Sequence, residues 1–166
     1  MRRGRHDGGG YGTLRLMIMA LSMDLAVKGA ARFLLSGKTV PLVLGFRLEL
    51  HLNSGVSFGL TPTLGWAVGL LGLAVLLGLT WASRRRTGRA GCGLALLWAG
   101  GLSNALERLF LGSVTDFFLV PLQRIPWVPL SGLYLNLADL WLFLGAVLLL
   151  LDFLSHTKGG GGEPSA

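Results

Sequence analysis

Four apolar runs constrain this chain more than any other feature, each close to the ~20 residues a helix needs to cross a bilayer. They extend from about Thr13 to Leu35, Leu64 to Ala82, Ala90 to Leu111 and Leu133 to Leu154. Of the 166 residues, 52% are hydrophobic and 14% are charged, where a soluble domain carries roughly 25% charged residues. One integral membrane domain is expected, spanning 13–154, with a basic N-terminus over 1–12 and a Gly-rich, disordered tail over 155–166.

The net charge of +7 invites a nucleic-acid reading, but its distribution argues otherwise. Arg2, Arg3, Arg5 and Arg15 lie near the N-terminus, and Arg84, Arg85, Arg86 and Arg89 lie between the second and third runs. Segments retained in the cytoplasm carry such basic clusters. Both termini are therefore expected in the cytoplasm, with the loops 36–63 and 112–132 outside. A binding surface for single-stranded nucleic acid needs aromatic side chains among the basic ones, and "ASRRRTGRAG" has none, so no nucleic-acid partner is expected. The single cysteine, Cys92, allows no intrachain disulfide and reads as a packing residue. The N-terminal stretch has the basic-then-apolar order of a signal peptide but no convincing cleavage site, so it is expected to be retained.

The first outer loop contains "FRLELHLN", in which Phe46, Leu48, Leu50 and Leu52 alternate with Arg47, Glu49 and His51. That period of two predicts a strand with one apolar face, paired with "KTVPLVLGF" through a turn at Gly45. The second outer loop, "VPLQRIPWVPLSG", reads as an irregular interfacial segment anchored by Trp127. The fold class expected is membrane all-α: four transmembrane helices with a small extracytoplasmic β-hairpin or cradle.

Polar residues at membrane depth carry the functional signal, because they normally face the bundle interior or water. Asp24 and Lys28 are four apart on one face of the first run, either neutralising each other or buttressing a polar site. Asn53, Ser54 and Gly55 follow the strand. The third run ends in "GGLSNALERLFLGSVTDFF", with Asn104 and Arg108 four apart, Glu107 beside them and Asp116 two turns on. The fourth opens "YLNLADLWLF", with Asn136 and Asp139 three apart. Two carboxylates in a poorly hydrated pocket resist ionising together, so one pKa rises and the pair holds a single proton. The ionised member can then take a proton from an attacking water while the protonated member donates to a carbonyl oxygen. An aspartyl hydrolase is one reading of this pattern. The alternatives are a non-catalytic four-helix membrane protein with inert ion pairs and a small transporter, which would string its acids across the membrane depth. His6, His51 and His156 suggest no metal cluster, and Ser103 and Ser131 have no nearby base.

These blocks resemble one family in order along the chain. "MDLAVK" is similar to the D-x-x-x-K of lipoprotein signal peptidases (type II signal peptidases), and "LNSGVSFG" to their N-x-G-x-x-F block. "SNALER" resembles N-x-x-D-R, "GSVTDF" resembles G-x-V-x-D-F, and "LNLAD" resembles F-N-x-A-D. The resemblance covers about residues 20 to 150. It implies a peptidase of the bacterial cytoplasmic (inner) membrane that cuts prolipoproteins just before a diacylglyceryl-modified cysteine. By motif position Asp116 and Asp139 are the catalytic pair. Asn53, Gly55, Asn104, Arg108, Asn136 and Glu107 are in binding or supporting roles, with Asp24 and Lys28 as supports. It implies no metal or organic cofactor, membrane lipid as a partner, sensitivity to globomycin-type inhibitors, and a monomer. The chain departs from the family at Glu107, where Asp is usual, at Ser103 and Leu135, at Leu140, and in a short "LTPTLGW" stretch after Gly59, which together mark a divergent member.

Overall fold

The structure is a computed structural model and describes residues 8–54, 65–83, 88–123 and 132–158. Four long helices occupy the four apolar runs: α1 (Gly8–Leu34), α2 (Gly65–Ala82), α3 (Arg89–Leu111) and α4 (Leu137–Lys158). Among the described residues, α4 is the helix long and apolar enough to be assigned as a membrane span from composition, over Leu137–Thr157; the apolar part of α2, Trp66–Ala82, is shorter. α1 and α3 carry Asp24, Lys28, Arg32 and Glu107, and these charges are turned toward one another. Large apolar side chains point outward instead, among them Phe33, Leu71, Trp81 and Phe143, each more than 60% exposed. Apolar surface on that scale marks a membrane-facing or partner-facing wall.

A four-stranded antiparallel sheet sits at one end, ordered β1 (Thr39–Pro41), β2 (Arg47–Asn53), β3 (Val114–Pro121), β4 (Gly132–Leu135). The expected hairpin is present as β1 and β2, with Pro41 opposite Arg47 and Gly45 in the turn at a φ of 85°. The clean apolar face expected of β2 is not. The register slips between Leu48 and His51, and such a bulge re-aims the side chains beyond it. Leu52 is left exposed, and Glu49 is drawn inward to accept a bond from Tyr134 Oη at 2.5 Å.

Three further expectations are corrected. Asp116, expected two helical turns beyond Arg108, is not on a helix: Gly112 adopts a left-handed φ of 71° and ends α3 at Leu111, where the third apolar run was expected to end, as a Gly just past a helix commonly does. The following Val114, Thr115, Phe117, Phe118 and Val120 are β-branched or aromatic and form β3. Likewise Leu133–Leu135 forms β4 and not the start of the fourth helix, and α4 extends through Ser155–Lys158, which were expected in the tail. The second outer loop is thus strand through Pro121. Its Trp127, like Gly55 and the "LTPTLGW" stretch through Leu64, lies outside the described residues.

α3 is the hub, packing against α1, α2 and α4. Small residues bring it against α4. A Cβ added at Gly100 would lie 2.5 Å from the Ala138 carbonyl oxygen, and one at Gly145 would lie 2.7 Å from that of Gly93. Close approach through small residues is the usual device where lipid removes any hydrophobic drive between helices. Here it also fixes the position of Ala138, the neighbour of Asp139. Gly100→Ala and Gly145→Ala are each expected to lower stability by about 1–3 kcal/mol, the cost of overpacking, measured as thermal unfolding in detergent. Gly78, with open space around its Cβ position, serves as the control. Gly78→Ala is expected to be neutral or stabilising by up to ~1 kcal/mol through helix propensity.

Candidate active site

Asp139 is the third residue of α4, and its placement follows from how that helix begins. Asn136 precedes the first helical residue. Its Oδ1 accepts the Asp139 backbone N–H at 3.1 Å, while its own N–H donates to Asp139 Oδ2 at 2.9 Å. This is the reciprocal arrangement of a capping box, built from Asn and Asp. It closes two otherwise unsatisfied helix-end groups and locks the carboxylate against the helix end.

Asn136 also reaches the second acid. With its oxygen turned to the helix, its amide nitrogen donates to Asp116 Oδ1 at 2.7 Å. Asn53, at the end of β2, donates to Asp116 Oδ2 at 3.1 Å. Asp116 lies on β3 and is 3% exposed. Burial raises its pKa above the usual carboxylate value. The Asn53 and Asn136 amides pull it back, the Asp139 charge adds to the rise, and the His51 charge opposes it. Both acids line one cavity of about 200 Å³ together with Asn53, Asn104, Arg108 and Asn136. A larger apolar groove of about 560 Å³ runs between α2, α3 and α4 and shares Asn104, Arg108 and Asp139 with it.

Behind the acids stands a buried ion network. Lys28 Nζ contacts Asp24 Oδ2 at 2.9 Å and Glu107 Oε2 at 3.4 Å. It also donates to Asn104 Oδ1 at 2.6 Å and Ser103 Oγ at 3.2 Å, and Ser103 in turn donates to Asp24. An ammonium group can only donate, so it holds the Asn104 oxygen and turns that amide's nitrogen toward Asp139 Oδ1, 3.5 Å away. Asp24 and Lys28 thus pair with each other, and Lys28 is linked through Asn104 to Asp139.

Glu107 sits on the β3 side of this network, receiving the Thr115 N–H at 2.8 Å. Arg108 lines both cavities, and its Nη1 reaches the Asn104 carbonyl at 3.5 Å. All the sequence-derived site residues within the described segments thus converge, while Gly55 lies outside them. Arg32, Thr115 and Tyr134 were missed. Arg32 could have been found, since it continues the four-residue spacing of Asp24 and Lys28. Tyr134 lines the cavity and stacks on His51 with ring centroids 4.2 Å apart, a pairing that only the sheet brings about. Among the described residues no three His, Cys, Asp or Glu side chains are grouped as metal ligands would be.

A sequence profile for signal peptidase (SPase) II matches residues 16–155. The chain belongs to the signal peptidase II family. Its relatives include the lipoprotein signal peptidase of Ralstonia nicotianae, 32% identical over 165 residues that cover 93% of this chain and 92% of the relative. The lipoprotein signal peptidase of Sinorhizobium fredii is 33% identical, covering 86% of each. The fold matches a bacterial membrane enzyme solved in meso at 2.3 Å resolution, with a TM-score of 0.74, 16% identity and 100% of both chains covered. A second such enzyme, solved at 1.9 Å resolution, gives a TM-score of 0.70 at 19% identity, covering 86% of this chain and 92% of that one. The protein is a membrane peptidase.

Two substitutions at one position separate scaffold from chemistry. Asp139→Asn keeps an oxygen to accept the Asn136 N–H and is expected to unfold within a few degrees of wild type, whereas Asp139→Ala loses the box and about 0.5–2 kcal/mol. Lys28→Met, which leaves the buried Asp24 carboxylate without a cation while Glu107 keeps Arg32, is expected to cost about 3–5 kcal/mol. Thermal unfolding of purified variants in one detergent checks both.

Proposed function

We propose that Asp116 and Asp139 are the catalytic dyad with which this peptidase removes signal peptides from prolipoproteins, cutting before a diacylglyceryl-modified cysteine. Removal of signal peptides from prolipoproteins is the activity of its family. The observation that carries the residue assignment is Asn136, which holds both acids at one cavity: it donates to Asp116 and exchanges two hydrogen bonds with Asp139. Asp116, whose proton affinity burial raises, carries the shared proton. Asp139 takes a proton from the attacking water, and Asp116 donates to the scissile carbonyl oxygen, so one proton enters the pair as the other leaves. Asn104, Arg108 and Asn53 orient the substrate backbone and the acids, and Gly55 is given a supporting role by its motif alone.

The apolar groove between α2, α3 and α4 suits the hydrophobic part of the signal peptide and the lipid of the modified cysteine, and globomycin-type peptides would compete there. The chain crosses the membrane four times as a monomer, with both termini in the cytoplasm and the dyad toward the outer face. The basic cluster at Arg84–Arg89 supports that orientation.

Cleavage of a diacylglyceryl-modified peptide in nanodiscs, with an unlipidated peptide as control, tests this reading. The lipidated peptide alone is expected to be cut, and Asp139→Asn is expected to reduce the rate by at least ~10²-fold, the low end of acid–base contributions. Undiminished cleavage by Asp139→Asn would place the site elsewhere. The pH profile tests the roles. A one-proton pair loses activity at low pH when both acids are protonated and at high pH when both are ionised. Asp116 ionisation sets the alkaline limb. Asn53→Ala removes a bond that favours ionised Asp116, so the limb is expected to move to higher pH; an unmoved or lowered limb contradicts the assignment.

A further inference from the structure

Glu107 stands where the family motif has the shorter Asp, and its surroundings make that difference constructive. Its Oε2 receives the Thr115 N–H at 2.8 Å and its Oε1 the Thr115 hydroxyl at 2.6 Å. Arg32 closes the ring, with Nε on the Thr115 hydroxyl at 2.6 Å and Nη2 3.3 Å from Glu107 Oε1. Lys28 holds Oε2 from the other side at 3.4 Å. Asp24, Glu107, Lys28 and Arg32 thus form a network of two negative and two positive charges spanning α1 and α3. Thr115 is fully buried and precedes Asp116 in β3. β4 pairs only with Phe118 through Pro121, so it gives no support to the end of β3 that carries the acid. β2 pairs with this end on one edge, at Val114, Thr115 and Asp116, and Glu107 and Arg32 hold Thr115 where β4 does not reach.

We propose that Arg32, Glu107 and Thr115 act together as positioning residues, clamping the first turn of β3 to α1 and α3 and so setting where Asp116 stands relative to Asp139. This rests on the dyad reading above. Replacing Glu107 by Asp shortens the arm by one C–C bond, about 1.5 Å. The shorter carboxylate cannot hold both Thr115 donors while keeping Lys28, so restoring the family residue damages this chain. A misplacement of ~1 Å at a reacting group can cost ~10²-fold in rate.

The test measures kcat and KM for the lipidated peptide in Thr115→Ser, Thr115→Val, Glu107→Asp and Arg32→Gln. Thr115→Val and Glu107→Asp are expected to lower kcat by ~10-fold or more with KM within ~3-fold, because geometry at the acid changes and substrate binding does not. Thr115→Ser, which keeps the hydroxyl, is expected within ~3-fold of wild type. Arg32→Gln and Thr115→Val combined are expected to cost less than the product of their separate effects, since both break one unit. Wild-type rates in Thr115→Val, or an equal or faster Glu107→Asp, would overturn the proposal. Should the wild type itself cut no lipidated peptide, the dyad reading fails separately and the clamp is read by amide hydrogen exchange. Thr115→Val then has to speed exchange at Asp116 and its neighbours in β3; unchanged protection there overturns it.

Discussion

Lys28 is a cation with 1% of its surface exposed, and the rest of the site is arranged around that fact. A buried charge is tolerated only when paired and hydrogen-bonded. Asp24 and Glu107 supply the pairing, while Ser103 and Asn104 accept the remaining protons. Because the ammonium only donates, it imposes a direction on everything beyond it. Asn104 must present its oxygen to Lys28 and its nitrogen to Asp139. At the next position the helix end imposes the same direction on Asn136, whose oxygen is held by the α4 backbone and whose nitrogen faces Asp116. Two amides are thereby aimed at two carboxylates without any freedom to flip.

The scaffold brings these groups together by backbone proximity as much as by side chains. Gly100 lets α3 lie against the carbonyl of Ala138, so the end of α4 that bears Asp139 is seated directly on the helix that bears Asn104, Glu107 and Arg108. The sheet supplies the remaining members, Asn53 from β2 and Asp116 from β3, held in register as cross-strand neighbours of Val114 and His51. The candidate site thus draws its groups partly from rigid helices and partly from a short sheet. Glu107 and Arg32 join the two halves.

Helix positions were legible from the apolar runs to within a few residues, because twenty-residue apolar stretches admit few other structures. The pairs Asp24–Lys28 and Asn136–Asp139 were legible from their spacing, since residues three or four apart share a helix face or a cap. Asp116 was legible as an acid among apolar residues, but its setting was not. "VTDFFLVP" is a short apolar run, and periodicity alone does not tell a buried strand from a helix. The usable signal was Gly112 followed by β-branched and aromatic residues. Missing that strand hid Thr115 and Tyr134, whose partners are chosen by the sheet. The bulge in β2 was hidden for the same reason: strict alternation in "FRLELHLN" predicts an apolar face, and register decides otherwise.

The shared proton is the central claim, and direct titration tests it. Aspartate carboxyl carbons would be isotope-labelled and followed by NMR through pH in wild type, Asp116→Asn and Asp139→Asn. If the pair holds one proton, the wild type gives two separated steps. Asp116 then stays protonated well above the usual carboxylate range, and its step moves down when Asp139 is neutralised. Both carboxyls ionising together in the ordinary carboxylate range, unchanged by either substitution, would contradict a proton-sharing dyad.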